Sequence, residues 1–133
     1  MIVVLDANVL VSGLLKPYSN AGAIIRLVAV GSLQVAYDAR IASEYQEVLA
    51  RPKFGFSPRD IRHFLAQLKS EGMLVAAPPL SIPLPDSDDA PFLEVAATAR
   101  CPLVTGNTKH YPVEARKDVQ ILTPAEFIRL LAR

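Results

Sequence analysis

The sequence predicts an α/β protein of three layers, with a central parallel sheet of four to five strands covered by helices on both faces. Two observations carry this. Short aliphatic runs alternate with stretches of helical periodicity along the chain, which implies strand–helix–strand units. The leading run is apolar at consecutive positions, as expected of a strand buried on both faces.

Residues 2–5, Ile-Val-Val-Leu, form the first strand. Leu10, Val11, Leu14 and Leu15 follow it and read as core rather than partner surface. A helix is expected over 20–30, ended by Gly31, and a strand over 33–37. From 39 to 50 the apolar residues Ile41, Tyr45, Val48 and Leu49 recur at helical spacing, and Pro52 ends that helix. Ser57-Pro58 is an N-cap and first-turn pair for a helix through Leu68, stopped near Gly72. A strand at 74–76 leads into a Pro-rich extended passage, 78–85. Helical periodicity covers 92–99, and strands are expected at 103–105 and 119–122. Thr123-Pro124 opens a closing helix through Leu131. In such sheets the functional crevice lies beyond the carboxyl ends of the strands, so chemistry-bearing residues should fall there.

At 133 residues the chain is one domain by length, 1–133, large enough for a real core. A hydrophobic content of 51% excludes a disordered chain, and 20% charged residues is ordinary for a soluble globule. No apolar run approaches the roughly 18 residues that span a bilayer. The start, Met-Ile-Val-Val-Leu-Asp, has no basic segment and meets an acid at once, unlike a signal peptide. Cys101 stands alone in an apolar stretch and reads as a small buried hydrophobe. These features point to the cytoplasm. The net charge of +1 does not mark a nucleic-acid binder. Its distribution says more: Arg51, Lys53, Arg59, Arg62, His63 and Lys69 form one basic group, and Lys109, His110, Arg116 and Lys117 another. Each is either a solvated face or a phosphate-contacting rim.

The acids meet the demand of the sheet. Asp6 follows the first strand directly, at its carboxyl edge, where it serves either as a helix cap or as a crevice acid. Glu44 and Glu47 share a helix, but at 100° per residue Glu44 lies at the edge of the apolar face and Glu47 points away. Asp86, Asp88 and Asp89 precede a helix. One acid there would complement the helix dipole, whereas three repel one another, a repulsion that a hard cation such as Mg2+ or Mn2+ relieves. Asn107, just past a strand, brings an amide to the same edge, either as a ligand through its carbonyl oxygen or as a plain turn residue.

The chain resembles a PIN domain, specifically the single-domain bacterial and archaeal proteins described as toxin components of toxin–antitoxin systems, relatives of the VapC toxins. The resemblance rests on Leu-Asp-Ala-Asn-Val-Leu-Val-Ser at 5–12, Ser-Glu-Tyr-Gln-Glu-Val-Leu-Ala-Arg-Pro-Lys-Phe at 43–54 and Asp-Ser-Asp-Asp-Ala-Pro-Phe-Leu-Glu-Val-Ala at 86–96. Val-Thr-Gly-Asn at 104–107 and Ile-Leu-Thr-Pro-Ala-Glu-Phe at 121–127 complete it. The resemblance implies a PIN-like fold and makes Asp6, Glu44 and Asp89 the first three acids of the site. Asp86 and Asp88 are then outer metal candidates, and Asn8, Ser12 and Thr105 line the pocket. The family's fourth acid is replaced by Asn107, which removes one negative charge and weighs against a second metal ion.

The implied activity is hydrolysis of RNA, with single-stranded substrate, by a water activated at Mg2+ or Mn2+. Lys109, His110 or the central basic group would neutralise phosphates. A cognate antitoxin and a homodimer are implied as partners. Two rivals stand beside this reading. One is a catalytically impaired PIN domain that binds RNA or an antitoxin, favoured by Asn107. The other is a phosphotransfer enzyme with Asp6 as nucleophile. The haloacid-dehalogenase type of that chemistry wants an acid where Asn8 stands, and a Gly-rich phosphate loop is absent.

Overall fold

The computed structural model describes the whole chain, Met1–Arg133. Five short strands, β1 (Ile2–Leu5), β2 (Gln34–Tyr37), β3 (Met73–Leu74), β4 (Leu103–Val104) and β5 (Ile121–Leu122), form one all-parallel sheet in the order β3-β2-β1-β4-β5. Six helices flank it: α1 (Ala7–Leu15), α2 (Asn20–Ala29), α3 (Ala39–Leu49), α4 (Pro58–Glu71), α5 (Ala90–Ala99) and α6 (Pro124–Leu131). The expected three-layer class is therefore observed, at the upper strand number. Val3, Val4 and Leu5 are fully buried, as a central parallel strand requires.

From β1 the chain winds outward through β2 to β3, then returns to the other side of β1 for β4 and β5. The order reverses between β1 and β4, which opens a crevice beyond their carboxyl ends. The register Leu5↔Val104 places Asp6 and Thr105 side by side at that point.

Helix α1 is the one element absent from the expected pattern. Val9, Leu10 and Val11 run together and blur the 3.6-residue period, so propensity gives no clear face. Leu10 is buried in the core and Val11 and Leu14 pack against it, whereas Leu15 is about half exposed. Several boundaries shift, among them the start of α5, which lies at Ala90 rather than 92. Helix α4 continues past Leu68 to Glu71. The third strand begins at Met73, before the expected 74. Only Ile121 and Leu122 pair in the last strand, because Lys117 and Asp118 adopt left-handed φ of 48° and 67° in the turn before it. Cys101 is buried, and burial pushes its thiol up to about 11, so it is an inert hydrophobe.

Two glycines allow close approach here: Gly13 of α1 faces α2, and Gly22 of α2 faces the turn that joins the two helices. A methyl on Gly13 would stand 2.7 Å from the Ala21 carbonyl oxygen, and one on Gly22 would meet the Pro17 carbonyl and lie 2.7 Å from that of Lys16. These obstacles are backbone atoms and cannot rotate away. Gly22→Ala should therefore lower stability by about 1–3 kcal/mol despite alanine's better helix propensity. A lower urea midpoint at unchanged slope would show it, whereas an unchanged midpoint would mean that the 16–20 turn yields freely.

Candidate functional site

Asp6 occupies the N-cap position of α1, yet its side chain makes no capping hydrogen bond. Its carboxylate turns into the crevice and is buried, 6% exposed. Asp6 Oδ2 accepts hydrogen bonds from Thr105 Oγ1 at 2.9 Å and from the Tyr111 hydroxyl at 3.0 Å. Both donors take the same oxygen, so Oδ1 has no protein partner. Tyr111 is wholly buried, and burial beside Asp6 raises its hydroxyl far above the usual range, so it remains a neutral donor. Sequence reasoning missed Tyr111. The preceding carbonyl, that of Leu5, accepts from the buried Tyr45 hydroxyl, which fixes the end of β1 against α3.

Glu44 is half-buried on α3, whereas Glu47 is exposed and pairs with Arg51 at 3.2 Å. Helix phase separated the two correctly. Burial, then the charges of Asp6, Asp88 and Asp89, push the Glu44 carboxyl up to about 7. The acidic run before α5 divides its labour. Asp86 is exposed and its Oδ1 caps a 3₁₀ turn, Ser87–Asp89, by accepting from the Asp88 N–H at 2.9 Å. Asp88 is exposed. Asp89 is 9% exposed, and it makes no capping bond to α5. Its buried Oδ2 takes no hydrogen bond and lies 3.1 Å from His110 Nδ1, an ion pair when that imidazole is protonated. Burial and the Asp6 charge push Asp89 up to about 6, partly offset by His110.

The third segment at the crevice is the turn after β4. Asn8 Oδ1 accepts from the Gly106 N–H at 3.0 Å, and the Asn107 N–H donates to Thr105 Oγ1 at 3.1 Å. The Asn107 side chain is exposed, as are Lys109 and Ser12, and the half-exposed His110 reaches Asp89. Glu94, 6% exposed on α5, is a third buried acid, and this one was not anticipated from the sequence; it pairs with Arg40.

Asp6, Glu44 and Asp89 are thus neighbours in charge, with His110 as the nearby counter-group. No three His, Cys, Asp or Glu side chains already stand at ligand distance from one point. The donor set still suits a magnesium-type ion, which takes one or two carboxylates and keeps several waters. The orphaned Asp89 Oδ2 and the unpartnered Asp6 Oδ1 are oxygen donors of that kind. None of the surface cavities is lined by these acids.

Fold and site define a doubly wound parallel α/β domain with buried carboxylates at its switch point. The chain belongs to the PIN domain family, whose model matches residues 2–109. No curated protein matches it at a significant level. Among solved structures, it is similar to a chain of VapBC2 from Rickettsia felis, crystallised bound to a DNA fragment from their promoter. That match has a TM-score of 0.58 at 15% identity and covers 92% of this chain and 98% of the other. It is also similar to a chain of FitAcB from Neisseria gonorrhoeae, with a TM-score of 0.56 at 16% identity, covering 94% and 99%. No helix is long and apolar enough to cross a membrane.

Proposed function

We propose that this PIN domain is a Mg2+- or Mn2+-dependent ribonuclease acting on single-stranded RNA in the cytoplasm, as the toxin of a toxin–antitoxin pair. The observation that carries the reading is the pair Asp6 and Asp89, two buried carboxylates at the sheet's switch point, each with an oxygen that accepts no hydrogen bond. Burying such charges is costly without compensation, and a divalent cation supplies it. Asp6 and Asp89 would hold the ion with Glu44 beside them, and Asp86 and Asp88 stand in reserve at the rim. When bound, the ion would supply charge neutralisation and make a water more acidic for attack on phosphorus.

The chain's own groups do the rest. Thr105 and Tyr111 orient Asp6 by donating to one oxygen, and Asn8 fixes the turn that carries Thr105. Lys109, His110 and Ser12 at the rim would contact phosphates or sugars and set the strand's register. The family resemblance supports a cognate antitoxin and a homodimer, and the likeness to VapBC2 and FitAcB supports the same class.

The second reading is a catalytically impaired domain that binds RNA or an antitoxin. Asn107 in the fourth acid's place and the lack of a ready three-ligand cluster favour it. Cleavage of end-labelled single-stranded RNA with Mg2+ or Mn2+, run beside Asp6→Asn, distinguishes them. The wild type should cut and the variant should not. Equal degradation by both would sink the metal-site reading, and RNA binding without cleavage would establish the second.

A further inference from the structure

We propose that Arg40 is a positioning residue, whose forked ion pairs with Asp38 and Glu94 hold α3 and α5 at the spacing that sets the gap between Glu44 and Asp89. The brace itself stands on geometry; its bearing on cation binding rests on the metal-site reading above.

Arg40 Nε and one terminal nitrogen donate to Asp38 Oδ2 at 2.9 and 2.7 Å, and the other terminal nitrogen donates to Glu94 Oε1 at 2.7 Å. Asp38 is itself committed to α3, since its Oδ1 caps the helix by accepting from the Ile41 N–H at 3.0 Å. Glu94 stands between the buried residues Leu93 and Val95, and its Oε2 accepts from the Leu80 N–H at 3.0 Å. One planar guanidinium therefore joins the start of α3 to the middle of α5. Through Glu94 the same cluster reaches the Pro-rich passage that leads to Asp86 and Asp89. A lysine cannot make this fork.

The rungs between the two helices explain why a brace is needed. Arg40 faces Glu94, Tyr45 lies 6.2 Å from Phe92 between ring centroids, and Glu44 lies in the field of Asp88 and Asp89. Arg40 and Tyr45 on α3 thus each meet a residue of α5, Glu94 and Phe92, while Asp88 and Asp89 lie just ahead of that helix. Arg40 and Glu44 are one turn apart on the same face. An attractive rung thus stands one turn from a repulsive one. Without Arg40, the direct contact between the two helices that opposes the like charges of Glu44, Asp88 and Asp89 is the apolar one of Tyr45 and Phe92, beside the packing of each helix on the sheet.

Spin labels at the exposed positions Glu47 and Thr98, in a Cys101→Ser background, report the α3–α5 distance by pulsed electron paramagnetic resonance without any metal. Arg40→Met should lengthen and broaden the distance distribution, with Arg40→Lys in between. In unlabelled protein, Mn2+ affinity read from the free-ion resonance should fall about 10- to 100-fold, the usual cost of losing a group that orients ligands. Arg40→Met alone strands a buried carboxylate and risks poor folding. The double variant R40M/E94Q removes both charges, keeps an acceptor for the Leu80 N–H and should unfold near the wild-type temperature. It should nonetheless keep the broadened distance and the weakened Mn2+ binding. An unchanged distance in a folded Arg40 variant, or Mn2+ affinity restored in the double variant, would overturn the proposal. If the wild type binds no Mn2+ at all, the metal-site reading fails, while the distances still report on the brace.

Discussion

Asp89→Asn is expected to be at least as stable as the wild type and, if the proposed metal-dependent ribonuclease reading holds, to cut RNA at least about 100-fold more slowly, since losing a ligand should exceed the usual cost of losing a group that orients one. The two effects share one cause. Asp89 Oδ2 is buried with no hydrogen-bond donor, and its ordinary value of 3.8 is raised to about 6 by burial and by Asp6. The folded protein therefore holds this proton more tightly than the unfolded chain does. In that case stability is fully present below the unfolded value and is lost as pH rises through the folded one. For Asp89 the loss runs from about pH 4 to 6, and Glu44, raised from 4.5 to about 7, extends it. Asparagine has no charge to bury, so the variant should gain about 1–2 kcal/mol at pH 8 after allowance for water screening. Urea unfolding in EDTA at pH 5 and pH 8 checks it: the two proteins should differ more at pH 8. Parallel pH profiles would show that Asp89 is adequately solvated in the apo protein.

Such a liability, kept at the end of a well-packed sheet, is what a site for charge chemistry looks like. How far it could be read from sequence depended on how local the cause was. Asp6 was legible because a strand of consecutive aliphatics ends on it, and the structure shows a carboxylate that declines to cap α1. Glu44 was separated from Glu47 by helix phase, which needs only the residues of one helix. Asp89 could be picked from its run only through the family pattern, since nothing in Asp86, Asp88 and Asp89 themselves says which is buried. The structure sorts them through the 3₁₀ turn that Asp86 caps. Tyr111 and Glu94 were invisible for a different reason. Their meaning lies in partners 105 and 54 residues away, Asp6 and Arg40, and no periodicity encodes a contact of that kind. Helix α1 was lost because apolar residues at consecutive positions, Val9, Leu10 and Val11, hide the exposed stripe of Asn8, Ser12 and Leu15.

Asn107→Asp should raise divalent-ion affinity and RNA cleavage, each on the order of tenfold. Residue 107 is tied to the site already, since its N–H donates to Thr105 Oγ1, which in turn donates to Asp6. That bond comes from the backbone and survives the substitution, and the exposed side chain has room for a carboxylate of nearly the same shape. The new charge must then act through the field. In the apo protein it adds to the repulsion that already raises Asp89 and Glu44, so stability in EDTA should fall, most of all above pH 7. Saturating Mn2+ should more than recover it, because a ligand that binds only the folded state stabilises in proportion to the logarithm of its excess over Kd. Opposite changes in EDTA and in Mn2+, measured as thermal midpoints, separate a fourth metal-directed acid from a mere surface charge, which would lower or leave both. If cleavage rises with the Mn2+ midpoint, the natural site is one acid short and Asn107 restrains it. If neither moves, the three acids Asp6, Glu44 and Asp89 are sufficient, and asparagine at 107 is a turn residue whose side chain the chemistry never needed.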